Sequence, residues 1–385
     1  MITVETTLIP QNVALPNSKV KLYDKDGNAL GNIRLNHMLM PSNLGTKLYS
    51  VGLISDAHIF EPTETTSYHP SDTNALEDLA KAITYFKNKN MDFVVCCGDL
   101  TSYGTTAGLV KYKEIVDANR GDMPVYSMAG NHEFWGSYYG NGNPYPNIPT
   151  EIKTYTGMDL FHTEEIGNDV YIFAGPTAIE DEFTKITVKL GDETKSINKF
   201  DWITEQFNKY KGRRIFFFMH SVIKAQNGVL VDRASPSDYC GDATGILRSV
   251  EMIKSYTPKF IQLLKDNPNV IYFHGHSHAM IENQSYMSKL NPRRNANYDY
   301  VNGGHSIHIP SSTMPRDVSS GERVDEVFIS QGYIMDVYEN HIVLKGVSFT
   351  GFVRDENGNA ILQNGKKVID EETKFIPIGT YCLKT

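Results

Sequence analysis

The feature that most constrains this chain is a short apolar run that stops at a carboxylate, FVVCCGDLT at residues 93–101. Residues 93–97 are apolar or β-prone without alternation, which predicts a strand buried on both faces rather than a half-exposed strand. The run ends at Gly98 and Asp99, so a carboxylate follows the carboxyl end of a strand. Open α/β sheets bind their ligands at that end. Asp99 is therefore the first candidate for a functional site.

The same arrangement recurs along the chain, because several predicted strands end in side chains that can bind metal ions. Most of these strands are joined by predicted helices, which indicates βαβ architecture with one site where the strand ends meet. Asp-x-His and His-x-His place both side chains on one side of an extended segment. The metal-capable residues at the strand ends are Asp56, His58, Asp99, Asn131, His220, His276 and His278.

The chemistry of this set suits metal binding. Carboxylates, imidazoles and one amide oxygen are suitable ligands for two divalent ions such as manganese, iron or zinc. A single histidine at a strand end is more often packed in the core than bound to a metal ion. The occurrence of five such motifs in strand-end positions therefore carries the prediction of a dinuclear site, which no motif carries alone.

In their order along the chain, these motifs resemble the signature of the calcineurin-like metallophosphoesterases. The matching segments are Asp-x-His at 56–58, Gly-Asp at 98–99, Gly-Asn-His-Glu at 130–133, His220, and Gly-His-x-His at 275–278. The resemblance covers roughly residues 47–350 and implies an α/β fold, a four-layer α/β/β/α sandwich of two mixed sheets flanked by helices. It further implies a dinuclear metal-dependent phosphoester hydrolase.

The resemblance also implies how the ligands divide between two divalent metal ions. They would be Asp56, His58 and His278 for the first ion, Asn131, His220 and His276 for the second, and Asp99 as the bridge.

Three further features of the reaction follow from the same resemblance. His132 would face the substrate and either stabilise the phosphoryl oxygens or protonate the leaving group. Glu133 would orient His132. The nucleophile would be a hydroxide that bridges the metal ions, because two ions lower the pKa of such a water to near neutrality.

The loop after Asp99 bears on the substrate. Protein phosphatases of this superfamily usually have an arginine shortly after Gly-Asp, whereas residues 98–104 read GDLTSYG. This sequence looks more like the bacterial phosphodiesterase branch, which often has aspartate at the position of Glu133. We therefore expect a phosphodiesterase acting on a small phosphoester, with a phosphomonoesterase as the alternative. Weaker candidates for substrate contacts are Trp135, Tyr138, Tyr139, Arg293 and Arg294. Packing within a surface loop explains the three aromatic residues equally well, and a solvated basic pair explains the two arginines better than a phosphate contact does.

Composition narrows the range of partners and locations. The formal net charge of −8 makes nucleic acid an unlikely partner and a nuclease the less favoured activity, because dedicated binders present basic patches. The N-terminal sequence resembles no signal peptide. The apolar runs of the chain are too short to span a membrane. The default expectation is a cytoplasmic protein. Its four cysteines predict no disulfide framework.

The domain organisation has three expected parts. Residues 1–45 form a β-rich extension with a hairpin around residues 20–35, residues 46–350 form the catalytic domain, and residues 351–385 form a C-terminal extension. Because the core does not need its two polar, turn-rich ends, a second hypothesis is an oligomer or larger assembly. Such an assembly, on a phage virion or a cell surface, would use the enzymatic core on envelope phosphodiesters.

Overall fold

The structure is a computed structural model of the 385-residue chain. The sequence candidates Trp135, Tyr138, Tyr139, Arg293 and Arg294 lie outside the residues that it describes. The described residues are 3–5, 18–23, 29–35, 44–59, 75–134, 147–177, 185–190, 193–221, 225–226, 229–230, 257–276, 278, 281, 305–313, 315, 330–353, 355–356, 361–363, 366–370 and 372–384.

Strands and helices alternate through the middle of the chain. The helices are α1 (Ala75–Asn88), α2 (Thr106–Arg120), α3 (Ile148–Thr156), α4 (Lys199–Lys209) and α5 (Thr257–Asp266), and a short 3₁₀ helix spans Asn131–Phe134. The strands are β1 (Thr3–Glu5), β2 (Ser18–Tyr23), β3 (Ala29–Leu35), β4 (Lys47–Ile54), β5 (Phe93–Cys97), β6 (Val125–Met128), β7 (Phe161–Ile166), β8 (Asp169–Ala174), β9 (Lys185–Leu190), β10 (Glu193–Asn198), β11 (Ile215–Phe218), β12 (Ala225–Gln226), β13 (Val229–Leu230), β14 (Val270–His274), β15 (His305–His308), β16 (Gln331–Tyr338), β17 (His341–Ser348), β18 (Gly351–Phe352), β19 (Leu362–Gln363), β20 (Lys366–Lys367), β21 (Ile369–Asp370) and β22 (Lys374–Lys384).

Two mixed sheets form the centre of the molecule. The first sheet has six strands in the order β22-β17-β16-β4-β5-β6, and the second has five in the order β15-β14-β11-β8-β7. Within the first, β4, β5 and β6 run parallel, and within the second, β8, β11, β14 and β15 run parallel. The parallel strands of each sheet therefore end together at one edge, where ligand sites of α/β sheets form.

Three apolar clusters hold these sheets and helices in four layers. The first cluster lies between the sheets and contains Val95 and Phe218. The second joins the outer face of the five-stranded sheet to α3, α4 and α5, and the third joins the six-stranded sheet to α1 and α2. The fold is thus the α/β/β/α arrangement of two mixed sheets flanked by helices, as the sequence predicted.

Strand β5 explains why its sequence does not alternate. Phe93, Val95 and Cys97 face the other sheet, whereas Val94 and Cys96 face the helices. All five side chains are buried, which confirms the prediction of a strand covered on both faces. The same division occurs in β11, where Phe216 and Phe218 face the first sheet and Phe217 faces the helices.

The helices begin where local side chains can satisfy free backbone N–H groups. Thr105 caps α2 by accepting a hydrogen bond from the Gly108 N–H, and Asn198 caps α4 by accepting one from Asp201. In α1, the buried Leu79, Ile83 and Phe86 form one apolar face with helical spacing. Apolar faces of this kind pack the helices against the sheets and so hold the strand ends in place.

Other elements agree with the predicted organisation only in part. Helix α3 begins at Ile148, with Pro149 in its first turn, where proline is tolerated. The predicted N-terminal hairpin is confirmed by the antiparallel pairing of β2 with β3. Strand β22 pairs with β17 and so extends the first sheet past residue 350, where the main domain was expected to end. No helix among the described residues is long and apolar enough to cross a membrane.

Candidate metal centre

The candidate ligands converge because the two sheets end at the same place. Four of them follow strands of the first sheet, and three follow strands of the second. After β4, β5 and β6 come Asp56 with His58, Asp99 and Asn131, and after β11 and β14 come His220 and His276 with His278.

One group of side chains gathers around Asp56. The His278 Nε2 atom lies 2.9 Å from His58 Nε2 and 3.1 Å from Asp56 Oδ1. The His58 Nε2 atom lies 3.7 Å from Asp99 Oδ2. Ligand atoms that share one ion at about 2.1 Å stand roughly 3–3.5 Å apart, so these four residues suit one ion.

A second group includes the same Asp99. The His220 Nε2 atom lies 2.9 Å from Asp99 Oδ2, and His276 completes this group. The Asn131 Oδ1 atom lies 3.0 Å from His276 Nδ1, which adds an amide oxygen. Asp99 therefore belongs to both groups, as a bridging ligand would.

The buried polar atoms of this region need a partner. Asp99 Oδ2 and His220 Nε2 are both buried and lie 2.9 Å apart, and apart from each other neither has a hydrogen-bond partner among the described residues. The other nitrogen of His220, Nδ1, lies 2.6 Å from the Cys97 carbonyl oxygen and donates to it. This leaves Nε2 as a lone-pair ligand, the arrangement in which histidine binds metal ions. The residues present therefore fit a metal pair.

The backbone at the ligands has an unusual conformation. Among the described residues, six that are not glycine have positive φ, and five of these are candidate ligands. The five are Asp56 (+51°), His58 (+46°), Asp99 (+48°), His276 (+70°) and His278 (+56°). This conformation costs about 1–3 kcal/mol per residue and concentrates at functional sites, where the surrounding structure supports it.

Comparison with known proteins agrees with this geometry. The calcineurin-like phosphoesterase family model matches residues 49–280. The chain belongs to this family. The fold of this phosphoesterase is similar to a dimetal phosphatase from Danio rerio, with 13% identity over 78% of this chain and 96% of that chain (TM-score 0.48). It is also similar to a purple acid phosphatase from yellow lupin, with 14% identity over 95% of this chain and 59% of that chain (TM-score 0.45). No curated protein sequence matches the chain.

In this phosphoesterase, His132 lies at the rim of the two ligand groups. Its backbone N–H donates to Asp99 Oδ1 at 2.9 Å, and its Nδ1 atom donates to the Ser102 carbonyl oxygen at 2.8 Å. The Nε2 atom lies 3.9 Å from Asp99 Oδ2. The side chain of His132 is 10% exposed, whereas Asp99 is 1% exposed, so His132 is the more accessible of the two.

Glu133 binds the backbone on both sides of the candidate ligands. Its carboxylate accepts three hydrogen bonds, from Thr101 N–H (2.8 Å), Thr101 Oγ1 (3.0 Å) and Gly130 N–H (2.7 Å). The carboxylate therefore joins the loop that carries Asp99 to the loop that carries His132, and the imidazole itself is held by Ser102. Burial and the nearby charge of Asp99 raise the pKa of Glu133 to about 8.

The charges of the metal-free site explain its need for cations. Burial alone would raise the pKa of Asp56, but His278 and His220 outweigh it and hold that pKa below its ordinary value. Burial also opposes the ionisation of Asp99, but His220 and His132 lower its pKa to about 2. Burial, together with His220, lowers the pKa of His276 to about 3. Burial would lower the pKa of His220, but the charges of Asp99 and Asp56 outweigh it and raise that pKa to about 10. The metal-free site thus holds two buried carboxylates, a neutral His276 and a protonated His220, which must release its proton to bind an ion.

Several residues that support the site were not found from the sequence. Ser102 acts through its carbonyl oxygen, and Ser311 and Thr313 donate to the backbone of the Asp56 loop. A main-chain carbonyl leaves no mark on residue type, and the hydroxyls come from more than 250 residues along the chain. The serine- and threonine-rich end of β15 was the available signal, since hydroxyls after a strand can reach a neighbouring loop.

Proposed function

We propose that this phosphoesterase hydrolyses phosphodiesters at a centre of two divalent metal ions, manganese, iron or zinc. The observation that carries the proposal is that two ligand groups share Asp99 at the joined ends of both sheets. In this proposal the ligands are Asp56, His58 and His278 for the first ion, Asn131, His220 and His276 for the second, and Asp99 for both.

The chemistry divides between the ions and the chain. When bound, the two ions supply Lewis-acid stabilisation of the phosphoryl oxygens and activate water as the nucleophile. The chain holds the ligands in a buried site, where electrostatic interactions are stronger than in water. Because Nδ1 of His132 donates to Ser102, the Nε2 atom lies on the side of Asp99, 3.9 Å from its Oδ2 atom, where it would face a phosphoryl group held at the centre. His132 is therefore the residue that we assign to the phosphoryl oxygens or the leaving group.

The preference for diesters rests on charge. A phosphomonoester carries up to two negative charges and is commonly gripped by arginine, whereas a diester carries one. None of the described loops around the site contains an arginine or a lysine. These loops are residues 55–59, 98–105, 129–134, 219–221, 275–276 and 309–313. A singly charged diester needs less added positive charge, so the composition of these loops supports a phosphodiesterase.

The first test compares ester types with one purified protein. We expect the manganese-loaded enzyme to hydrolyse bis-p-nitrophenyl phosphate with a higher kcat/KM than p-nitrophenyl phosphate, and a chelator to abolish both activities. An Asp99→Ala variant should lose bound metal together with activity. A preference for the monoester would reassign the enzyme as a phosphomonoesterase. An Asp99→Ala variant that kept its metal and its activity would contradict the proposed centre.

A second test addresses His132. Replacing His132 with alanine should lower kcat by about 10²–10⁴-fold, the usual contribution of a general acid, while metal content stays unchanged. If His132 protonates the leaving group, the loss should be larger for phenyl diesters than for p-nitrophenyl diesters, because phenol is the poorer leaving group. An equal loss for both would assign His132 to the phosphoryl oxygens. An unchanged kcat would exclude both roles.

A further inference from the structure

A short segment after β15 makes contact with the first ligand group although it contributes no ligand. Ser311 Oγ donates to the Asp56 carbonyl oxygen at 2.7 Å. Thr313 Oγ1 donates to the Ala57 carbonyl oxygen at 2.9 Å and lies 3.3 Å from that of Asp56. Ser311 and Thr313 are completely buried. These hydroxyls come from the second sheet, whereas the loop that they contact follows β4 of the first.

The contacted backbone is the part of the loop that has positive φ. The N–H groups of Asp56 and His58 donate to the carbonyl oxygens of Gly98 and Asp99, both at 3.0 Å. The carbonyl oxygens of Asp56 and Ala57 accept hydrogen bonds from the hydroxyls of Ser311 and Thr313. Without these donors, the buried carbonyls would favour a rotation of the loop that carries both ligands away from its present conformation.

A related contact is made close in sequence to His278, another member of this group. The Gln331 Oε1 atom accepts a hydrogen bond of 2.9 Å from the N–H of Ile281, shortly after His278. The Gln331 N–H in turn lies 3.4 Å from the Ser311 carbonyl oxygen. Ser311, Thr313 and Gln331 are therefore connected to one another by hydrogen bonds. All three lie beyond residue 280, where the match to the family model ends.

We propose that Ser311, Thr313 and Gln331 are positioning residues that set the metal affinity of the first ligand group. This inference rests on the proposed function, since it assumes that the two groups bind separate ions. The second group has support of its own in the hydrogen bond from His220 Nδ1 to the Cys97 carbonyl oxygen, and it meets the first group where the His276 N–H donates to the Asp56 carboxylate at 3.1 Å. Loss of the hydroxyls should therefore weaken binding of the first ion more than binding of the second.

The test is a titration of metal-free, full-length protein with manganese, followed by calorimetry and electron paramagnetic resonance. Wild-type protein should bind two ions. The double variant Ser311→Ala with Thr313→Val should bind one of them about 10–100-fold more weakly, the usual effect of removing a group that supports a ligand. Its weakened site should match the site lost in a His58→Ala variant and not the site lost in a His276→Ala variant.

Two matched variants serve as controls. Ser312 lies between the two hydroxyl donors and is equally buried, but its Oγ atom has no hydrogen bond to any described residue. Ser312→Ala should therefore bind both ions with wild-type affinity. Thr313→Ser keeps the hydroxyl and should retain most of the first-site affinity that Thr313→Val loses.

The outcomes separate the inference from the function on which it rests. A double variant that binds both ions as tightly as wild type overturns the inference alone. The inference is also overturned if the double variant loses affinity for both ions equally and its free energy of unfolding falls as well, because that result indicates a general structural role. Wild-type protein that bound fewer than two ions would overturn the dinuclear centre itself, and the inference with it.

Discussion

Single residues next to the ligands have little space, and Gly98 is the clearest case. Its φ angle is +88°, and a Cβ atom at this position would lie 2.4 Å from Nδ1 of His220. The imidazole of His220 lies against the backbone of Gly98 while it donates to the Cys97 carbonyl. His220, which follows a strand of the second sheet, can therefore take this position only because residue 98, which follows a strand of the first sheet, has no side chain.

This dependence can be tested with two glycines of equal conformation. Gly212 has a φ angle of +86° and has open space where a Cβ atom would lie. We expect Gly212→Ala to cost about 1 kcal/mol, from the backbone conformation alone. Gly98→Ala should cost a further 1–3 kcal/mol from overpacking and should also reduce bound metal. Urea unfolding and metal analysis of both variants would measure this, and equal effects of the two would show that His220 is not constrained by Gly98.

At the scale of elements, β5 separates two cores. Val95 packs between the sheets, and Val94 packs against the helices. Val94→Ala and Val95→Ala should each lower the free energy of unfolding by about 1.5–3 kcal/mol, because each removes buried apolar surface. Val110 on α2 is 36% exposed, and Val110→Ala should cost less than about 0.5 kcal/mol. A neutral result for either β5 variant would contradict burial on both faces.

The elements that could be predicted best from the sequence are those in which the pattern of apolar residues shows which faces are buried. Strand β5 and helix α1 follow from patterns in their own residues. Strand β7, with the sequence FHTEEI, was not predicted, because its middle is polar and half-buried. Its place in the sheet comes from antiparallel pairing with β8, which its own residues do not indicate. The position of β22 likewise depends on pairing with β17.

At the scale of the whole molecule, the edge opposite the metal centre carries an ion pair that joins the sheets. Arg214 donates to both carboxylate oxygens of Asp169 and to the Tyr338 carbonyl oxygen. The Tyr49 hydroxyl donates to the same carboxylate from β4. Asp169 and Arg214 are mostly buried, with side chains 5% and 10% exposed. This edge therefore contributes to stability without contacting the ligands.

Two adjacent arginines make it possible to test whether this edge contributes to stability without affecting metal binding. Arg214→Met should cost about 3–5 kcal/mol, because it leaves the carboxylate of Asp169 buried without its partner. Arg213 pairs with the half-exposed Glu165 and donates to the carbonyl oxygens of the turn before β8, at Gly167, Asn168 and Asp169. Arg213→Met should cost less than Arg214→Met, because it leaves no buried charge without a partner. Metal stoichiometry should stay at the wild-type value in both variants under conditions where they are folded. Loss of metal from folded Arg214→Met protein would show that the two edges are coupled.

The candidate site could be read from the sequence only in part. Side chains that follow apolar strands, such as Asp99 and His220, are visible because their type and their position both point to metal binding. The structure brings all seven candidate ligands together at one edge. The supporting contacts could not be predicted, since Ser102 acts through a carbonyl oxygen and Ser311 acts across 255 residues of chain.

The contacts of Ser311 and Thr313 also bear on how the protein is made. A ribosome delivers Asp56 and His58 early, but the hydroxyls that satisfy the carbonyls of Asp56 and Ala57 are 255 residues further along. His278 also precedes them in the chain. All the candidate ligands are therefore synthesised before the segment that holds the first group in place. The loop that carries Asp56 and His58 therefore completes these backbone contacts only after Thr313 has been synthesised.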